Sequence, residues 1–129
     1  MILKKITPNL MVKDVSQTVK FYEDLLGFKL AQSVPEDEPY EWASVKAGDV
    51  ELMFQESSSL RSDMPIFNDI PIGGALTLFV RMQGIQEIYE RIREQVEVVQ
   101  ELNVTFYGMQ EFSFKDINGY VLTFAEPAS

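Results

Sequence analysis

The chain has 129 residues, 46% of them hydrophobic and 24% charged, with a formal net charge of −9. That is one domain's worth, enough to bury a core unaided, and an acidic surface of this kind repels nucleic acid and anionic membranes. With no cysteine and no histidine, disulfides, thiolate catalysis, the commonest general base and the commonest transition-metal ligand are all excluded. No apolar run approaches the roughly 18 residues of a membrane span. Met1–Lys5 carries no signal-peptide pattern, and the expected location is the cytoplasm.

In chain order, Lys5–Val12 alternates as a strand, with Ile6, Leu10 and Val12 on one side and Thr7, Asn9 and Met11 on the other; Pro8 suits an edge position. Asp14 is placed to cap a helix over residues 15–26, with Gln17 as its partner. Thr18, Phe21, Tyr22 and Leu25 mark its apolar face, and Gly27 ends it. Strands follow at Phe28–Val34, Glu41–Lys46 and Val50–Gln55, the last with Glu51, Met53 and Gln55 sharing a face. Residues 57–73, rich in Ser, Pro and Gly, read as a connector without regular structure. Ala75–Arg81 is a strand, and Ile85, Ile88, Tyr89, Ile92 and Val96 stand at helical spacing. Strands at Val96–Leu102, Glu111–Lys115 and Tyr120–Glu126 complete the chain, the last two joined by a turn carrying Asn118-Gly119.

The second half repeats the order of the first. Glu41–Phe54 lies without gaps on Glu111–Phe124, pairing Trp42 with Phe112, Leu52 with Leu122 and Phe54 with Phe124. The opening strands match at an offset of 68, Leu10 with Leu78 and Val12 with Val80. The expected fold is α+β: two βαβββ modules, at 1–56 and 74–129, joined by the connector at 57–73.

Three segments carry a family resemblance: Leu10-Met11-Val12-Lys13-Asp14-Val15, Phe21-Tyr22-Glu23-Asp24-Leu25-Leu26-Gly27-Phe28, and Phe112-Ser113-Phe114-Lys115-Asp116-Ile117-Asn118-Gly119-Tyr120. Together they resemble the vicinal oxygen chelate superfamily of glyoxalase, bleomycin-resistance and dioxygenase proteins. Ile117 and Asn118 depart from that family's Pro-Asp turn. The resemblance implies a curled mixed sheet around a cavity with helices on the convex side. Leu10, Val12, Leu52, Phe54, Leu76, Leu78, Val80, Leu122 and Phe124 would then pack under helices. The alternate residues, Met11, Phe79, Thr123 and Ala125 among them, would face the cavity. It also implies pairing into homodimers, and the connector is long enough to let modules exchange between chains.

Metal-dependent members of the family place His or Glu at four equivalent positions. Carried over, these fall on Thr7, Ala75, Thr123 and either Glu51 or Met53, so at most one is a ligand. No metal and no cofactor are expected. The cavity candidates are Glu51, Gln55, Trp42, Phe79 and Phe112: a carboxylate that apolar burial would push up in pKa, an amide, and aromatic faces suited to a cationic or aromatic organic molecule. Three functions are compatible with this pattern. The first is a metal-free small-molecule-binding protein. The second is a lyase or isomerase using Glu51 as base, with or without a divalent metal. The third is an interaction module whose cavity has filled in.

Overall fold

A computed structural model describes residues 1–128. The chain divides into two compact units, residues 1–72 and 73–129, each holding one four-stranded mixed sheet.

In the first unit the strands are β1 (Asn9–Val12), β2 (Lys29–Val34), β3 (Trp42–Ala47) and β4 (Val50–Glu56), in the order β1-β4-β3-β2. β1 runs parallel to β4 and the remaining pairs are antiparallel. The helix α1 (Val15–Leu26) begins and ends where its caps dictate. Asp14 accepts from the Gln17 N–H at 2.9 Å. Gly27 takes the left-handed conformation at φ 73° that a side chain would resist. α1 lays Val15, Thr18, Val19 and Tyr22 on the sheet, where the Tyr22 ring stands 4.9 Å from that of Phe54 and 5.5 Å from that of Phe28. Leu10, Val12, Ala43, Val45 and Leu52 complete this core, in which each large side chain contributes about 1.5–3 kcal/mol on burial.

β1 is shorter than the alternation predicts. Residues 5–8 lie outside it, because Pro8 has no N–H for the ladder. Its carbonyl still receives the Met53 N–H at 2.8 Å. The connector is a second departure, since Ser57–Asp63 forms a helix, α2, and Pro65–Phe67 a single 3₁₀ turn. Glu56 caps α2 through the N–H groups of Ser58 at 3.0 Å and Ser59 at 3.2 Å, and Leu60 is its one buried residue. Arg61 ties the following loop down, donating to the carbonyls of Phe67 and Ile70 at 3.1 and 2.8 Å.

The second unit holds β5 (Thr77–Arg81), the helix α3 (Ile85–Ile92), β6 (Glu97–Val104), β7 (Met109–Lys115) and β8 (Val121–Pro127), with sheet order β5-β8-β7-β6. Ile85, Tyr89 and Ile92 of α3 are buried with Phe112, Phe114, Leu122 and Phe124. The Tyr89 ring lies 5.0 Å from Phe112. Leu78 and Val80 are half-buried. Leu76, expected under the helix, precedes the strand and is 44% exposed. The turn between β7 and β8 is organised by buried Asp116, whose Oδ1 accepts from the N–H groups of Asn118 at 2.8 Å and Tyr120 at 3.0 Å.

The two sheets are equivalent, but not in the register of the ungapped repeat. Leu10 pairs with Phe54 and Val80 with Phe124, so the opening strands correspond at an offset of 70, not 68. Phe54 faces Ala43, whereas Phe124 faces Phe112. The β7–β8 connection is therefore one residue longer than that of β3–β4. The position in the first sheet equivalent to Phe112 is Ala43, and the position in the second sheet equivalent to Trp42 is Glu111.

Candidate functional site

Each sheet has one face under its helix and one face opposite. The opposite face of the first sheet is fixed by its ladder pairs: Asn9 with Met53, Met11 with Gln55, Trp42 with Gln55, Ser44 with Met53, and Lys46 with Glu51. Three of the five candidates therefore share a face, namely Trp42, Glu51 and Gln55.

Gln55 is buried, and its amide is fully occupied. It accepts from Asn9 Nδ2 at 3.0 Å and donates to Ser59 Oγ at 3.0 Å and Asp63 Oδ2 at 2.8 Å. α2 thus lies against the face opposite α1 and covers the β1 end of it. Gln55 is thereby an anchor for α2, the helix that the connector forms beyond the one expected in each module. Glu51 also differs from expectation. Lys5 forms an ion pair with it. That contact is the main reason its carboxyl is held below the usual range, with Lys46 adding to the effect against a smaller opposing cost of burial. A raised, base-like Glu51 is therefore not what the fold builds.

Trp42, half-buried, borders an open recess of about 470 Å³ lined by Leu30, Gln32, Ser33, Val34 and Glu36. The adjoining loop is acidic. Partial burial, then the carboxylates of Glu38, Glu23 and Asp37, push the Tyr40 phenol up. Ser44 stands two residues from Trp42 on the same face. It is buried, and its hydroxyl is the one buried side-chain polar atom among the described residues without a hydrogen-bond partner.

The second sheet's open face is set by the pairs Phe79 with Thr123, Arg81 with Ala125, Glu111 with Ala125, and Ser113 with Thr123. Phe79 is 55% exposed there. Ser113 and Thr123 bond through their hydroxyls at 2.7 Å. Thr123 corresponds to Met53 in the first sheet, and Ser113 to Ser44. Methionine has no hydroxyl to offer, which is why Ser44 is left unpaired. Phe112 lies on the opposite side, fully buried against Tyr89, Phe114 and Phe124. It belongs to the core beneath α3, away from the face that carries Phe79.

Two carboxylates near strand ends, Glu126 and Glu111, have partners of their own. Glu126 accepts from the N–H groups of Gly84 and Ile85, both at 3.1 Å, and so caps α3 from the end of β8. Glu111 is 8% exposed and receives the Tyr107 hydroxyl at 2.7 Å.

The metal-bearing positions of the family do not fit an ion here. The register makes Met53, not Glu51, the first sheet's equivalent of Thr123, Ala75 has no donor, Thr123 is engaged by Ser113, and Glu51 is engaged by Lys5. Among the described residues no group of three or more Asp and Glu side chains could hold a metal. No helix is long and apolar enough to cross a membrane.

A paired βαβββ architecture with an open sheet face in each unit defines a class of α+β domains with many chemistries. A family model for the Glyoxalase/Bleomycin resistance protein/Dioxygenase superfamily matches residues 3–124, and the chain belongs to that superfamily. Its fold is similar to the antibiotic-binding protein TnmS3 from Streptomyces sp. CB03234, with a TM-score of 0.75 at 23% identity over 98% of each chain. It is similar also to TioX from Micromonospora sp. ML1, with a TM-score of 0.76 at 16% identity over 96% of this chain and 98% of that one. A superfamily member from Sphaerobacter thermophilus DSM 20745 gives 0.76 at 18% identity over 97% and 98%. No curated protein sequence matches the chain.

Proposed function

We propose that the chain is a cytoplasmic protein that binds a small organic molecule without a metal and works as a homodimer. The observation that carries this reading is the recess beside Trp42, where an indole, two polar side chains and the Glu36 carboxylate border a space of about 470 Å³. That is the size and mixed character of a small-molecule site. The antibiotic-binding activity named for TnmS3, a protein of similar fold, agrees with it. The homodimer rests on exposed apolar side chains of the first unit: Met1, Ile2, Leu3 and Ile6 are all at least 84% exposed, and covering such surface favours association. Light scattering should give about twice the chain mass of 14.8 kDa.

The test of binding uses the single tryptophan. Planar aromatic compounds, cationic and neutral, should quench Trp42 saturably, and Trp42→Leu should abolish the heat of binding in calorimetry. Linear, non-saturating quenching with every compound refutes the proposal. A lyase or isomerase working through Glu51 is the weaker reading, because a carboxylate held by Lys5 and shifted down is a poor base near neutral pH.

A further inference from the structure

We propose that the Ser44 hydroxyl is held for a hydrogen-bond acceptor of the ligand, a neutral carbonyl on an aromatic ring that lies against Trp42; this deepens the small-molecule reading and rests on it. Ser44 is 1% exposed, and its Oγ has no hydrogen-bond partner. A hydroxyl stranded in this way destabilises the free protein, and an unsatisfied buried donor is a rarer exception than an unsatisfied acceptor. Sites built to hydrogen-bond a ligand carry such groups, whose partner arrives with the ligand.

Ser44 stands next to the recess, within the same unit. Directly across the ladder from it, on β2, is Gln32. Two residues back along β3, on the same face, is Trp42, and both residues line the space of about 470 Å³. Gln32 is exposed, and although it faces Ser44 its amide does not bond the hydroxyl. Turning that long side chain aside brings a ligand atom from the recess onto Oγ. On the other side Ser44 faces Met53, and the next residue along its row, Lys46, faces Glu51. Two residues of strand put about 7 Å between the backbones of Trp42 and Ser44, within the length of a bicyclic ring that bears a carbonyl group. The charge nearby selects a neutral acceptor. Residues 30–45 carry Glu36, Asp37, Glu38 and Glu41 and no Lys or Arg, so a carboxylate on the ligand is repelled. A donor on the ligand already has the Glu36 carboxylate in the recess to receive it.

The test measures binding of 2-acetylnaphthalene, and of 2-ethylnaphthalene, which has nearly the same shape without the carbonyl, by equilibrium dialysis against the full chain and Ser44→Ala. Ser44→Ala should weaken binding of the ketone about fivefold, the effect of one neutral hydrogen bond. It should leave the hydrocarbon unchanged and raise the melting temperature of the free protein. A residue with a structural role alone would shift both compounds alike. Infrared difference spectra give a second reading, since the stretch of the bound carbonyl should rise in Ser44→Ala as its hydrogen bond is lost. If the ketone keeps its affinity in Ser44→Ala, loses no more than the hydrocarbon does, or keeps its carbonyl stretch, the assignment of Ser44 is overturned, while binding of either compound leaves the small-molecule reading intact. If neither binds, both fall.

Discussion

Ser44 and Ser113 occupy the same place in the two sheets, yet substituting them should have opposite effects. The Ser44 hydroxyl is buried and unpaired, and an unsatisfied buried hydroxyl costs about 1–3 kcal/mol. Ser44→Ala removes that cost and leaves a gap the size of one oxygen, which takes back part of the gain. A net stabilisation of about 1 kcal/mol follows. Ser113→Ala deletes a 2.7 Å bond and strands Thr123, at a cost of about 1 kcal/mol. For a chain of this length each change moves the melting temperature by roughly 3–4 °C, upward for Ser44→Ala and downward for Ser113→Ala. Differential scanning calorimetry of both variants measures it. Shifts of the same sign would refute the ladder equivalence and the claim that Met53 is what leaves Ser44 alone.

Three further outcomes follow from contacts already described. Glu51 has a folded pKa below its unfolded value, so its contribution to stability is present above the ordinary carboxylate range and is lost as pH falls through the folded pKa. Glu51→Gln should flatten acid unfolding in that window, and an unchanged acid limb would sink the Lys5 contact. Glu126→Ala removes the cap of α3 and should cost about 0.5–2 kcal/mol, with hydrogen exchange accelerating first in residues 85–88; uniform acceleration across the second unit would argue against a cap. Gln55→Ala should free α2, which proteolysis within 57–63 would report, whereas equal resistance in both proteins would show that Leu60 and the Glu56 cap hold the helix without it.

Legibility varied with how local the physics was. α1 was readable to the residue because Asp14, Gly27 and the apolar stripe all lie within its own span. α2 was invisible: its sequence, Ser-Ser-Ser-Leu-Arg-Ser-Asp, has one apolar residue and no period, and it folds through Glu56, Gln55 and the burial of Leu60. Glu51 and Gln55 share a face by alternation within one strand, which is local, whereas Trp42 joins them only through the β3–β4 register. Phe112 was assigned to the wrong face because a one-residue difference between two hairpins reverses every side chain beyond it. The engagement of Glu51 by Lys5 and of Glu126 by α3 joins residues 46 and about 42 positions apart, and no pattern along the chain signals such pairs.

The folding of the connector alters how far one half of the chain can stray from the other. Fully extended, residues 57–76 span about 70 Å, ample leash for a second unit to visit a neighbouring molecule. With α2 clasped by Gln55 and the loop stitched down by Arg61 as far as Ile70, residues 71–76 are what is left between the held loop and β5, about 20 Å of chain at full extension. A leash that short raises the local concentration of a chain's own second unit over that of any neighbour's. The longer reach returns only when one seven-residue helix melts.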